Sequence, residues 1–244
     1  MEKENISFML KQKIIDGQFQ DFITYMPPNI ELTIIQHLDL CWEMVLEWGS
    51  ISNVKAFMNK FDIINKTSKN GKPLIFMIFD LAKQKPEKIT LVSLVAQNRR
   101  SLDVLDNKRN NAVMYLIETD NNTAFGLYFR NISQYFNDTH TNINQENVYH
   151  FLAGAGEQIN TAYWGYLVNF TEEAIFNKNK NNETPIQIMY KKNNAIFFDR
   201  LLFFYYRSYK EDPAKVKKFF LNVFNSNARN EIKKIFEKYW MFIS

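Results

Sequence analysis

The chain has 244 residues, of which 46% are apolar and 23% charged, and its formal net charge is +4. It contains only 7 Gly, 6 Pro and one Cys, Cys41, which argues against an all-β sandwich, a disulfide framework and a Cys-rich zinc module. The opening MEKENISFMLKQK lacks a secretory h-region, so we expect a protein kept in a reducing cytosol or exported by a route without such a signal.

The N-terminal residues 5–27 predict two short helices. Their apolar positions recur at helical spacing on both sides of Asp16-Gly17, and Pro27-Pro28 ends the second helix. The next apolar segment, LTIIQHLDLCWEMV, predicts a helix with His37 and Cys41 four residues apart on one face. A nucleophilic Cys needs an activated thiolate, whereas a free Cys in an apolar helix is typical of a core. We therefore predict a structural role for this pair.

Four later segments each begin with a polar, Asn-rich turn and continue into an apolar helix. The predicted helix starts are Pro73, Ala112, Val148 and Pro185, separated by 39, 36 and 37 residues. In the clearest copy, Thr184 is a good N-cap, Pro185 suits the first helical position, and Asn193-Asn194 breaks the chain before a second helix. A period of this length with two helices in each unit predicts a helical solenoid. The longest uncharged stretch, Gln158–Thr171, contains Asn, Gln and Thr and predicts no membrane span.

These segments resemble ankyrin repeats, in which a polar turn leads into a T-P-L-H helix start, a Gly break, a second helix and an Asp/Asn return loop. Three stretches carry the helix-start pattern: Thr184-Pro185-Ile186-Gln187, Asn70-Gly71-Lys72-Pro73-Leu74, and Asn147-Val148-Tyr149-His150, which keeps the His. Trp48-Gly49 through Asn65 matches the break, second helix and return loop. The resemblance implies that the His150 side chain hydrogen-bonds the loop backbone between repeats.

The resemblance implies an all-α fold, a solenoid of degenerate ankyrin-like helix-turn-helix repeats. It covers about residues 30–206, with units longer than usual and with bulky Phe76 and Met77 in place of small residues. We expect an N-terminal helical cap at 1–29, about five repeats at 30–208 and a C-terminal helical cap at 209–244, in which Asp212 caps a helix that starts at Pro213. The register of the first repeat stays open between starts near Cys41 and near Ile34.

The resemblance also implies a protein-interaction module that binds a protein partner through its turn tips and the inner helices of its concave face. We expect a monomer without a cofactor, and no residue spacing predicts a metal site or a catalytic group. Carried over residue by residue, the exposed turn positions and inner-helix ends are Lys69, Asn70, Asp80, Lys180, Asn181, Glu183, Lys191 and Lys192, with Lys108, Arg109 and Glu118 from the less regular third unit. The chain is similar in character to ankyrin-repeat proteins of intracellular bacteria or large DNA viruses. That likeness implies an effector or host-range factor with a host target.

Two other functions remain open. Residues 191–244 contain 12 Lys and Arg against 5 Asp and Glu, a net charge of +7, whereas residues 1–190 carry −3. This basic C-terminal region is the footprint expected of a nucleic-acid or anionic-membrane binder, although its cations alternate with acids. An enzyme on a helical scaffold is the third alternative, and no catalytic constellation supports it. The many Asn residues, about 29, are typical of AT-rich coding, and we assign them little functional weight.

Overall fold

A computed structural model of the chain describes residues 3–132, 135, 139–155 and 170–243. These residues form fifteen α-helices joined by turns and short 3-10 segments, with no strand beyond an isolated antiparallel bridge between Thr67 and Pro73 and bridge residues at Leu105 and Asn111. The predicted all-α class is therefore confirmed. Within the same residues, no helix has the length and apolar character needed to cross a bilayer, and the stretch Gln158–Thr171 lies almost wholly outside them.

The chain forms two compact units, each described here by itself. The first comprises Met1–Asn107 and Leu127–Gln134. Its helices are α1 (Lys3–Ile15), α2 (Phe19–Thr24), α3 (Pro28–Gln36), α4 (Leu38–Trp48), α5 (Ile51–Phe61), α6 (Phe76–Gln84) and α7 (Thr90–Gln97), with 3-10 turns at Ile63–Asn65, Pro86–Lys88 and Arg99–Asp103. The predicted N-terminal pair of helices is present, and the chain turns between them at Gly17, where φ is +72°.

The first unit contains two rows of helices. In one row α4 packs against α1 and α6, and in the other α5 packs against α2 and α7. The buried Trp42 and Phe57 rings stack 5.9 Å apart between the rows. The Trp42 Nε1–H also donates to the Leu74 carbonyl at 2.7 Å, so one helix pair is bonded to the start of the next.

Two helix boundaries in the first unit differ from the predictions. The segment that contains His37 and Cys41 is not one helix: it breaks at His37, whose N–H is shared between the carbonyls of Thr33 and Ile34, a bifurcated bond typical of a helix end. The first repeat's helix accordingly begins at Leu38, between the two starts left open. Helix α6 begins at Phe76 instead of Pro73, because Pro73 pairs with Thr67 in the isolated bridge.

The second unit comprises Lys108–Gly126 and Tyr135–Ser244. Its helices are α8 (Ala112–Glu118), α9 (Asn122–Ile132, whose last residues belong to the first unit), α10 (Val148–Gly154), α11 (Glu172–Phe176), α12 (Pro185–Lys192), α13 (Ala195–Tyr209), α14 (Pro213–Val223) and α15 (Asn230–Trp240). The helix starts predicted at Ala112, Val148 and Pro185 are confirmed. The predicted cap of α14 is confirmed too, since the Asp212 carboxylate accepts from the Lys215 N–H at 3.0 Å.

First helices also pack side by side in the second unit. Helix α10 contacts both α8 and α12, while α13 packs against α14 and α15. Aromatic side chains fill the space between the C-terminal helices: Tyr205 of α13 and Phe219 of α14 are buried and stack with ring centroids 3.7 Å apart. The aromatic residues of this segment therefore serve helix packing, as their helical spacing predicts.

Candidate functional site in the turns and first helices

One five-residue turn recurs ahead of the first helices. In Ser68–Lys72, Asn142–Glu146 and Asn179–Glu183, the N–H of the first residue donates to the carbonyl of the fifth at 2.7, 3.0 and 3.0 Å. The N–H of the fourth residue donates back to the first carbonyl in each copy. The fourth position is left-handed, with φ of +74°, +61° and +61° at Gly71, Gln145 and Asn182, and Arg109 has the same conformation at +62°. The backbone thus repeats, although among the five residues only the third, Asn70, Asn144 or Asn181, is the same in all three copies.

Buried Asn side chains close the turns of the second unit from within. The Asn142 Oδ1 accepts from the N–H groups of Asn144 and Glu146 at 2.8 and 3.0 Å. Asn179 makes the same two bonds in the next turn, at 2.9 and 3.0 Å. Seven of the nine buried polar residues are Asn. The Asn abundance that we assigned to coding bias therefore includes side chains that define the fold.

Neighbouring turns of the second unit are bonded to each other. The Ile143 N–H donates to the Lys108 carbonyl and the Lys180 N–H to the Asn144 carbonyl, both at 2.9 Å. The Asn142 Nδ2 donates to Asn110 Oδ1 at 3.0 Å. These bonds align the turns in a row, which we call the turn stack: residues 108–110, 142–146 and 179–183.

His150 at the start of α10 bonds to the turn that precedes α12. Its Nδ1 accepts from the Asn147 N–H at 3.1 Å, and its Nε2 donates to the Glu183 carbonyl at 3.1 Å. The side-chain role expected for His150 is thus confirmed. Burial lowers its pKa below the usual value, against the smaller opposing effect of the Glu183 carbonyl and nearby carboxylates. The Nδ1 also lies 2.7 Å from the Asn147 Oδ1, so this nitrogen accepts from the Asn147 N–H when neutral and donates to the amide oxygen when protonated.

Several residues predicted to bind a partner instead pair with each other. Lys191 at the end of α12 contacts Glu183 in the turn, and Lys108 contacts Glu118 at the end of α8. Both pairs are solvent-exposed, with 69% of the Lys191 side chain and 52% of the Lys108 side chain accessible. Such pairs contribute about 0–1 kcal/mol each, so a partner could displace them at little cost.

The remaining predicted residues lie in both units, and all of them are exposed except Asp80, which is half-buried. Arg109, Lys180 and Asn181 lie at turn tips, and Lys192 lies at the end of α12. In the first unit, Lys69, Asn70 and Asp80 line one cleft of about 1040 Å³, which also touches α1 and α4. Asp80 there contacts Lys72. The structure therefore places the predicted residues on two surfaces, which are this cleft and the turn stack with the adjoining ends of α8 and α12.

The chemistry of a Cys/His site is not available to Cys41. Its side chain is fully buried, and that burial raises its pKa to about 12, so the group is a neutral thiol at physiological pH. No cluster of three or more His, Cys, Asp or Glu that could hold a metal ion occurs in the part of the chain that the structure describes.

The basic C-terminal region presents lysines beside exposed apolar side chains. Lys217 and Lys218 of α14 are exposed, and the Lys217 ammonium lies 5.2 Å from the centroid of the Trp240 ring. Leu221, Met241 and Phe242 are 56%, 75% and 62% exposed. Sequence analysis identified the charge of this region but missed its exposed apolar side chains. The helical spacing of apolar residues does not show which of them remain exposed after the helices pack.

Comparison with known proteins adds no further identification. No family model matches the chain, and no curated protein or solved structure shows significant similarity to it.

Proposed function

We propose that this protein is a helical-repeat interaction module, similar to ankyrin-repeat proteins, that binds a protein partner through its turn tips and first helices. The observation that carries the proposal is the repeated turn, which is held by internal bonds and leaves its second and third residues exposed. These are Lys69-Asn70 in one copy, Ile143-Asn144 in another and Lys180-Asn181 in a third, so the third residue is Asn in each copy and the second is Lys or Ile. A rigid scaffold that holds exposed residues at regular positions is suited to recognition.

Two further features support the repeat architecture. First helices pack side by side within each unit, α1, α4 and α6 in the first and α8, α10 and α12 in the second. Side chains also bridge consecutive repeats: Asn194 Nδ2 donates to the carbonyls of Leu152 and Ala153 at 3.1 and 3.2 Å. Nearest-neighbour contacts of this kind are how solenoids gain stability. A role as an effector or host-directed factor is part of the proposal and rests on the ankyrin resemblance.

The proposal is tested by affinity capture with a variant of the turn stack. Lys180, Glu183, Lys191 and Lys192 are changed together to Ala, which should alter the free energy of unfolding by less than about 0.5 kcal/mol for each exposed site. We expect proteins captured by the parent chain to be lost, as measured by quantitative mass spectrometry.

In a matched control, four exposed residues of the first unit are changed to Ala: Lys55, Lys66, Glu87 and Arg130. The control removes three positive charges and one negative charge, as the turn-stack variant does. It should retain those proteins. If the turn-stack variant and the control capture the same proteins as the parent chain, the proposed surface is wrong.

A second candidate function is binding to an anionic membrane surface through α14 and α15. The specific observation is that Leu221, Met241 and Phe242 are exposed near Lys217 and Lys218, since interfacial binding needs apolar side chains as well as cations. Reversal of charge at Lys217, Lys218, Lys233 and Lys234 should abolish sedimentation with phosphatidylserine vesicles and leave protein capture intact. Binding to nucleic acid would instead decline steeply with salt and require no bilayer.

A further inference from the structure

The cleft in the first unit is lined by residues of three helices, α1, α4 and α6. Helix α6 contributes Met77, Asp80, Leu81 and Gln84, whose spacing of three, four and seven residues places them on one side of the helix. Helix α4 packs against both α1 and α6 and contributes its own exposed stripe. The turn Ser68–Lys72 also borders the cleft. The result is an elongated surface shaped by helices.

The apolar part of this cleft is incompletely covered. Phe8 of α1 is 67% exposed, although a Phe side chain gains about 1.5–3 kcal/mol when it is fully buried. Leu40, Met44, Met77 and Leu81 line the cleft and are half-buried. Methionine adapts its shape to different apolar partners. The cleft therefore offers a flexible apolar floor to a ligand that brings apolar side chains of its own.

The charged part of the cleft is an acidic row on α4. Asp39, Glu43 and Glu47 all line the cleft and lie one turn apart, at intervals of about 6 Å. Glu47 is paired with Lys85. Asp39 and Glu43 form no ion pair with any residue that the structure describes, so this row has two carboxylates available to an incoming cation.

Three lysines line the same cleft with four carboxylates. Lys72 contacts Asp80, which also lines the cleft, and the Lys11 ammonium lies 3.6 Å above the centroid of the Trp48 ring. Lys69 is exposed at the turn tip, on a different element from the acidic row. The chain is positively charged as a whole, whereas the α4 side of this cleft favours a cationic ligand.

We propose that the cleft binds an amphipathic, cationic helix of a partner protein, with Lys or Arg at four-residue spacing beside Leu, Phe or Met. This inference rests on the proposed function and names the class of partner for the first unit. The charge complementarity selects the occupant: an acid row at one-turn intervals matches cations one turn apart on an opposing helix. A nucleic acid is disfavoured because its phosphates would face Asp39 and Glu43.

The probe is a fluorescein-labelled amphipathic peptide of Leu and Lys, about 18 residues or roughly 27 Å of helix. Its binding to the full chain is measured by fluorescence anisotropy. We expect Asp39→Asn with Glu43→Gln to weaken binding about tenfold and Phe8→Ala with Met77→Ser to weaken it comparably. Asp21→Asn with Glu87→Gln neutralises two exposed carboxylates elsewhere in the first unit and should change binding less than twofold.

Three results would overturn the inference. The first is equal binding by the parent and the Asp39→Asn/Glu43→Gln variant, with circular dichroism showing both folded. The second is equal binding of a peptide in which every Lys is replaced by Glu. The third is a concentration-dependent dimer of the parent chain that the Asp39→Asn/Glu43→Gln variant fails to form. The occupant of the cleft would then be a second copy of this chain.

The natural partner separates failure of this inference from failure of the proposed function. If the Asp39→Asn/Glu43→Gln variant captures the parent's partner and the turn-stack variant does not, the cleft assignment is wrong and the interaction module stands. If neither variant loses any partner, both are wrong. Loss of the partner by the cleft variant, with competition by the Leu–Lys peptide, supports the inference.

Discussion

The cleft of the first unit and the turn stack of the second use the same turn for different surfaces. In the cleft, the turn closes with Ser68 and Gly71 and borders a half-buried apolar surface with an acidic row. In the turn stack, buried Asn side chains close the turns, and the exposed tips carry Lys108, Arg109 and Lys180 beside one apolar residue, Ile143. The difference teaches that the turn backbone requires few particular residues. The neighbouring first helices therefore decide whether its surroundings are apolar or polar.

The largest expected effect concerns the core that supports the turn stack. Leu201 of α13 is fully buried, and Leu201→Ala should lower the free energy of unfolding by about 3 kcal/mol because it removes apolar contacts and leaves a cavity. Ile188 of α12 is only half-buried, so Ile188→Ala should cost about half as much. Urea unfolding followed by circular dichroism measures both. Equal midpoints for the two variants would contradict this packing.

The next prediction separates the two ways of closing the turn. Asn179→Ala removes the acceptor of two backbone N–H groups from a buried position and should cost about 2 kcal/mol. Ser68 is half-buried, and its hydroxyl accepts one bond from the Lys72 N–H at 3.3 Å, so Ser68→Ala should cost less than about 0.5 kcal/mol. Equal losses in the same urea experiment would mean that both turns depend on their first side chain alike.

A smaller effect is expected from exchanging residues at the left-handed position. Gly71→Ala places a Cβ at φ of +74° and 3.3 Å from the Asn107 Cβ, and should destabilise the first unit by about 1–2 kcal/mol. Gln145→Gly relieves the same strain at φ of +61°, partly offset by the greater freedom of Gly when unfolded, and should stabilise by less than about 1 kcal/mol. Thermal melts of the two variants should shift in opposite directions, and shifts of the same sign would refute the shared turn geometry.

The smallest effect is a pH dependence confined to the turn stack. The pKa of His150 is lowered in the folded protein, so the unfolded chain binds the proton more readily between the folded value and about 6.5. The stability from neutral His150 is therefore complete above pH 6.5 and declines as the pH falls below it. His150→Gln should flatten the dependence of the unfolding free energy on pH in this range. An unchanged slope would show that His150 does not titrate as the structure implies.

Local signals in the sequence were sufficient for many of the helix boundaries. The Thr184 hydroxyl caps α12 by accepting from the Gln187 N–H, and the Gln187 side-chain oxygen accepts from the Thr184 N–H at 2.8 Å. This capping box involves residues only three apart. Pro185 and Pro213 begin helices where the sequence predicts them. Such signals are readable because the interacting groups are neighbours in the chain.

The candidate site was predictable only in part. Sequence resemblance identified Lys69, Asn70 and Asp80, which the structure brings to one cleft, but it missed Phe8 and the acidic row on α4. Exposure of Phe8 depends on which helices pack around α1, and no local pattern encodes it. The roles of Asn142 and Asn179 could not be predicted for another reason: the sequence does not show which of the many Asn side chains are buried.

By itself, the sequence determined that the chain is helical, where most first helices begin and at what period they recur, because these features follow from capping and apolar spacing over a few residues. Tertiary structure alone decided the rest. The Trp42 indole bonds to the Leu74 carbonyl of the next helix pair, and the His150 ring reaches the Glu183 carbonyl although the two residues lie 33 positions apart. These contacts depend on distances through space, which are established only when the helices have packed.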